Sequence, residues 1–199
     1  RHACGTWTDS NGNFWLFGGK GYDATSTTDN FLNDLWKYTT TTNEWTWVSG
    51  SNNALVNGVY GTIQVPASGN FPGGREFPAC WKDNSGNVYL FGGIGLASTL
   101  TPNQGYLNDL WKYNPIANNW TWLKGDNITN QNGTYGTMGT AAATNKPGAR
   151  LSSVAWEDLS GNFWLFAGFG FAASSTGMLN DLWKYSPTTN ECTWEKGSI

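Results

Sequence analysis

The chain has 199 residues, a formal net charge of −3, 13% charged and 16% aromatic residues, and 26 glycines. It holds no Lys/Arg cluster and no run of ~18 apolar residues, which argues against nucleic acid or acidic membranes as partners and against membrane insertion. This composition fits a β-rich chain with many turns, not a coiled coil or a disordered tail.

The phrase Asn-Asp-Leu-Trp-Lys-Tyr occurs at Asn33–Tyr38, Asn108–Tyr113 and Asn180–Tyr185, and the same landmarks flank each copy. They divide the chain into units 1–74, 75–149 and 150–199, of 74, 75 and 50 residues. In chain order each unit predicts four strands. The first is Ala3–Thr8, Pro78–Lys82 or Ser152–Glu157. An Asp-x-x-Gly-Asn turn follows (Asp9–Asn13, Asp83–Asn87, Asp158–Asn162), with the residues a hairpin needs for positive φ. The second strand is Phe14–Phe17, Val88–Phe91 or Phe163–Phe166, ending at Gly18-Gly19, Gly92-Gly93 or Ala167-Gly168. Loops Gly19–Asn33, Gly93–Asn108 and Gly168–Asn180 lead to the third strand, Asp34–Tyr38, Asp109–Tyr113 or Asp181–Tyr185. A short polar turn then leads to the fourth, Trp45–Val48, Trp120–Leu123 or Cys192–Glu195. The first two units continue with extra segments, Gly50–Gly74 and Gly125–Ala149, each containing Tyr-Gly-Thr. No stretch has a sustained helical period, so no long helix is expected.

All thirteen tryptophans occupy repeated positions, and a Trp that recurs in every unit is first a packing residue. Gly-Gly after an aromatic strand, Tyr closing the third strand and Trp in the fourth resemble the kelch repeat, over the whole chain. The departures are Ala167 for the first Gly and Cys192 for a Trp. The resemblance implies an all-β fold: β-propeller blades of four antiparallel strands, one blade per unit. A kelch unit is about 50 residues long, so the extra length in the first two units is an insertion between blades. Closed propellers have ~4–8 blades. Three therefore leave two open apolar faces, to be completed by another copy of the chain or by further sequence.

On such a ring the long connections share one face, where binding residues concentrate. The candidates there are Tyr22, Leu96 and Phe171, with Phe31, Tyr106, Tyr60 and Tyr135. For Tyr22, Leu96, Phe171, Phe31 and Tyr106 a hydrophobic plug under the loop is the favoured explanation, and the Tyr60 and Tyr135 segments are equally explained as cover for the ring. The arginines of the chain are Arg1, Arg75 and Arg150, one per unit, and Asp34, Asp109 and Asp181 approach from the same side. Two readings stay open: structural Arg–Asp ion pairs, or a ring of guanidinium groups at the channel mouth that takes a carboxylate or phosphate.

Catalysis is not expected. His2 is the single histidine, too few for the copper site of kelch-type oxidases or for a Ser-His-Asp arrangement, and no zinc spacing occurs. No cofactor or metal is expected. Cys4, Cys80 and Cys192 leave any disulfide pairing open. The sequence begins at Arg1, so a processed leader or a piece of a longer protein is expected. Two functions follow as expectations. One is a non-enzymatic binding or adhesion module that presents its loop face to a glycan or protein. The other is a self-assembling structural protein, a six-blade homodimer or filament subunit. Low charge, polar loops and the likeness to bacterial kelch arrays imply a secreted or cell-surface bacterial protein.

Overall fold

The computed structural model describes residues 1–25, 27–98 and 104–198. Among them every regular element is a strand. The first sheet holds β1 (Gly5–Thr8), β2 (Phe14–Gly21), β3 (Asn30–Thr39) and β4 (Glu44–Ser49). The second holds β5 (Arg75–Glu76), β6 (Ala79–Lys82), β7 (Val88–Gly95), β8 (Gly105–Asn114) and β9 (Asn119–Lys124). The third holds β10 (Arg150–Leu151), β11 (Val154–Glu157), β12 (Phe163–Phe171), β13 (Thr176–Ser186) and β14 (Glu191–Lys196). All pairings are antiparallel and follow chain order, so each sheet is a local meander.

Local chemistry repeats from sheet to sheet. In the first turn of each, one aspartate gathers the chain. Asp9 accepts from the Asn11 and Asn13 amides, the Asn13 side chain and Trp15 Nε1. Asp158 does the same with Ser160, Asn162 and Trp164, and these bonds hold its carboxyl down at about 2. In the last turn Asn43, Asn118 and Asn190 take positive φ, and each accepts from a tyrosine hydroxyl: Tyr38, Tyr113 and Tyr185. Asparagine suits both needs, tolerating the left-handed region and offering an acceptor.

Two expected boundaries are corrected. The first strand of the second and third units begins earlier, at the arginine. It comes in two pieces, β5 with β6 and β10 with β11, both paired with the same neighbour. The break falls at Phe77 and Ser152, where φ is 55° and 56°. The loops after the second strand are also shorter than expected, because β2, β7 and β12 run on past their glycines and β3, β8 and β13 begin before Asp34, Asp109 and Asp181. Glycine in that run is a close-approach residue. A Cβ on Gly95 would stand 2.0 Å from the Gly74 carbonyl oxygen.

The hydrophobic core lies between sheets. One cluster joins Trp15, Phe17 and Leu35 to Val88, Trp111, Tyr113 and Trp120. The other joins Trp81, Tyr89 and Phe91 to Phe163, Trp183, Tyr185 and Cys192. Ring contacts cross both seams: Phe17 meets Trp120 edge-on at 5.2 Å, and Trp81 stacks on Phe163 at 5.6 Å. Cys192 replaces a Trp at the second seam, and a small apolar cavity of about 30 Å³ lies beside it, lined also by Trp81, Phe91 and Trp183. The inserted segments 50–74 and 125–149 are not free loops. Each folds back on itself, through paired bonds between Val59 and Phe71 and between Thr134 and Lys146, and lies on the last strand of the following sheet.

The Trp120 ring is 3% exposed while the equivalent Trp45 is 52% exposed. Trp120→Ala should therefore cost about 3–5 kcal/mol in urea unfolding, and Trp45→Ala less than about 1 kcal/mol when measured on the monomer.

Candidate functional site

Each unit places an arginine at the start of its first strand and an aspartate in its third. In the second unit, Arg75 on β5 faces Asp109 on β8. Its Nη1 and Nη2 donate to Oδ1 and Oδ2 at 2.6 and 2.7 Å. Nη1 also reaches the Gly92 carbonyl and Nε the Gly73 carbonyl, each at 3.1 Å. Trp111 lies two residues beyond Asp109 on the same strand face, and its Nε1 donates to Asp109 Oδ2 at 2.7 Å. The third unit repeats this arrangement. Arg150 holds Asp181 at 2.6 and 2.8 Å, and Trp183 donates at 2.8 Å.

A further donor comes from outside the unit. Tyr60, in the segment inserted after the first sheet, donates its hydroxyl to Asp109 Oδ2 at 2.6 Å. Tyr135, from the next segment, donates to Asp181 Oδ2 at 2.5 Å. Each tyrosine ring lies against two tryptophans of the sheet it visits, at 4.8 and 5.1 Å for Tyr60 and 4.8 and 5.3 Å for Tyr135. In both units the Arg and Asp side chains have no solvent exposure. Burial, then the Asp109 charge, drives the Tyr60 hydroxyl well above its ordinary range. Burial alone would raise Asp181. The Arg150 hydrogen bonds and charge, helped by Tyr135 and Trp183, outweigh it and hold that carboxyl low.

The first unit has the same pair without the tyrosine. Arg1 holds Asp34 at 2.7 and 2.6 Å, and Trp36 Nε1 donates to Asp34 Oδ2 at 2.6 Å. Among the described residues no tyrosine hydroxyl reaches Asp34. The pair is 25% and 8% exposed.

A guanidinium ring open to a ligand is therefore not what Arg75 and Arg150 form. Both have their donors taken up by carboxylate and carbonyl groups. Of the seven loop-face candidates four are buried, and Tyr106 and Phe171 lie against each other with ring centroids 5.9 Å apart. Phe31 is buried on β3, Leu96 is buried just after β7, and Tyr60 and Tyr135 are buried under the inserted segments. Tyr106 on β8 is half-buried against Phe169 and Phe171 of the third sheet. Phe171 ends β12 rather than standing in a loop. Tyr22 alone of the seven is well exposed, at 68%. Residues 99–103 of the expected Gly93–Asn108 loop lie outside the described residues. The three cysteines are unpaired, and among the described residues no group of three or more His, Cys, Asp or Glu is placed to hold a metal ion.

The outward apolar surface sits elsewhere. On the first sheet Phe14, Trp45 and Trp47 are about half exposed; on the third, Val154, Trp156, Phe166, Phe169 and Met178 are exposed. Sequence reasoning anticipated open faces but did not name these side chains. Aligning them with their covered counterparts in the second unit would have done so.

No family model matches the chain, and no curated protein matches it. Among solved structures the chain is similar to YjhT, with a TM-score of 0.60 and 16% identity, covering 98% of this chain and 51% of that one. The chain thus spans about half the length of that relative, and at this identity the likeness concerns the fold alone.

Burial holds the thiols of Cys80 and Cys192 up at about 12, against 9.0 when unburied. A raised folded value means the neutral thiol is the form the fold favours. The contribution is whole below pH 9 and is lost as pH rises toward 12. Urea midpoints should hold steady to about pH 9 and then fall. Cys80→Ala should flatten that fall, and an unchanged slope would show that the thiol does not titrate with unfolding.

Proposed function

We propose that this chain is a non-enzymatic structural module: three kelch-type propeller blades whose two outer faces take up further blades. One contrast carries the reading. Positions buried at the inner seams are bare at the outer ones. Val88 and Trp120 are 1% and 3% exposed, while their first-unit equivalents Phe14 and Trp45 are 51% and 52% exposed. At the other end, Ala79, Trp81 and Phe91 are 6, 7 and 5% exposed, while Val154, Trp156 and Phe166 are 60, 41 and 41% exposed. Apolar surface gathered in this way marks an association site.

The two faces are of different kinds. The first sheet offers outward what the second offers to the first, and the third offers what the second offers to the third. Contact between them is heterologous, and it gives a ring if the rotation closes and a filament if it does not. Two copies would bring the blade number to six, within the range of closed propellers. The third face carries one steric difference. Ala167, at φ 59°, stands where a Cβ on Gly18 or Gly92 would lie 2.9 or 2.8 Å from the next unit's arginine carbonyl oxygen. The outer seam must open slightly there relative to the inner ones.

A glycan- or protein-binding role for the loop face is the weaker alternative. Tyr22 is the one well-exposed aromatic side chain among those assigned to it.

Sedimentation at about 10 µM should give at least twice the 21.7 kDa of one chain, with Val154→Glu and Trp45→Glu each returning the mass to a single chain. A monomer at every concentration tested contradicts the proposal.

A further inference from the structure

The first sheet carries a seat for a tyrosine-bearing segment that none of the described residues fills. The same seat exists twice more in the molecule, each time filled. In the second unit it consists of Arg75, Asp109, Trp111, Trp120 and Trp122, and residues 58–71 occupy it. The Tyr60 hydroxyl goes to Asp109, the Tyr60 ring lies between Trp111 and Trp122, the Gln64 amide donates to the Trp122 carbonyl at 2.7 Å, and Ala67 bridges to Trp120. In the third unit residues 133–146 do likewise. Tyr135 goes to Asp181, the Gly139 amide to the Trp194 carbonyl at 2.8 Å, and Ala142 to Cys192.

In the first unit the five positions are Arg1, Asp34, Trp36, Trp45 and Trp47, residue for residue the same types as in the second. They already hold the filled geometry. Arg1 grips Asp34 through both oxygens, and Trp36 Nε1 donates to Asp34 Oδ2. Trp47 Nε1 donates to the Ser49 carbonyl at 2.7 Å, as Trp122 does to Lys124 at 2.8 Å and Trp194 does to Lys196 at 2.7 Å. The difference lies in the cover. Trp111 and Trp183 are 0% and 1% exposed, whereas Trp36 is only half-buried, and Arg1, Leu16, Trp36 and Trp45 line an open depression.

We propose that this seat binds a Tyr-Gly-Thr hairpin of the kind found at residues 56–74, presented by a further repeat unit. The tyrosine hydroxyl donates to Asp34 Oδ2, its ring enters between Trp36 and Trp47, and the strand after it pairs with the free edge of β4. The chemistry recognised is specific: a phenol that both fills an aromatic cleft and donates to a carboxylate already held by a guanidinium. A phenylalanine fits the cleft but leaves the acceptor short of one donor. The proposal rests on the association reading in one respect only, that the first sheet's outer face is a docking face. It can fail while that reading stands, because blades can associate through Phe14 and Trp45 with no phenol involved.

The test uses the Val154→Glu chain, in which the third sheet's outer face is blocked, so that a second copy does not compete for the seat. A synthetic peptide of residues 56–74 is titrated against it, with tryptophan fluorescence and calorimetry as readouts. Saturable one-to-one binding is expected, weakened about tenfold or more when the peptide carries Tyr60→Phe, since the bond lost is to a charged acceptor. Altering the peptide rather than the protein leaves the fold of the chain untouched. Absence of binding at millimolar peptide, or equal binding by the Phe peptide, overturns the seat. The mass of the wild-type chain, measured without peptide, reports separately on blade association.

Discussion

Two guanidinium–carboxylate pairs, Arg75–Asp109 and Arg150–Asp181, sit fully out of water, and the architecture is arranged around satisfying them. Burying such a pair costs several kcal/mol per ion unless the geometry is two-pronged and the remaining lone pairs and protons are bonded. Here the requirement is met by parts from different places: carbonyls of the turn before and of the second strand, a tryptophan two residues along the third strand, and a tyrosine from the preceding unit. A network complete in this way stiffens and specifies a core, and one missing member leaves a buried charge underbonded. The units are therefore coupled through their polar centres as well as through their apolar seams. In a repeat fold, this is a nearest-neighbour term with a named donor and acceptor.

That coupling gives the chain a direction. Each inserted segment leaves its own sheet near Asn33 or Asn108, reaches the next sheet's last strand, and returns to the same asparagine through Pro72 or Pro147. The first sheet gives such a segment and receives none among the described residues. The third receives one, and its two departures from the repeat, Ala167 and Cys192, change the seams at either side of it. Both outer faces are apolar, but they are not interchangeable.

Much of the strand framework was legible because the repeat fixed it three times over. Asp-x-x-Gly-Asn turns, the alternation through Asp34, Trp36 and Tyr38, and the aromatic pairs of the fourth strand all fall where their side-chain chemistry places them. The misread parts share one cause, glycine and small residues that mean two things. Gly19-Lys20-Gly21 and its counterparts look like the start of a loop, but they continue a strand that other backbone approaches too closely for a Cβ. The arginines were recognisable as ion-pair members, while their early strand pieces were hidden by the break at Phe77 and Ser152. Tyr60 and Tyr135 read as loop aromatics because the sequence shows their repetition but not their destination, a carboxylate 49 and 46 residues further on. No local pattern encodes a bond of that span.

The claim on which all of this turns is that the tyrosine of one unit and the aspartate of the next act as one group. A double-mutant cycle on Tyr60→Phe and Asp109→Asn, read by urea unfolding, measures it directly. The account predicts a coupling of about 1 kcal/mol or more between the two sites, as for a buried hydrogen bond to a charged group. Additive effects, with a coupling indistinguishable from zero, would contradict it.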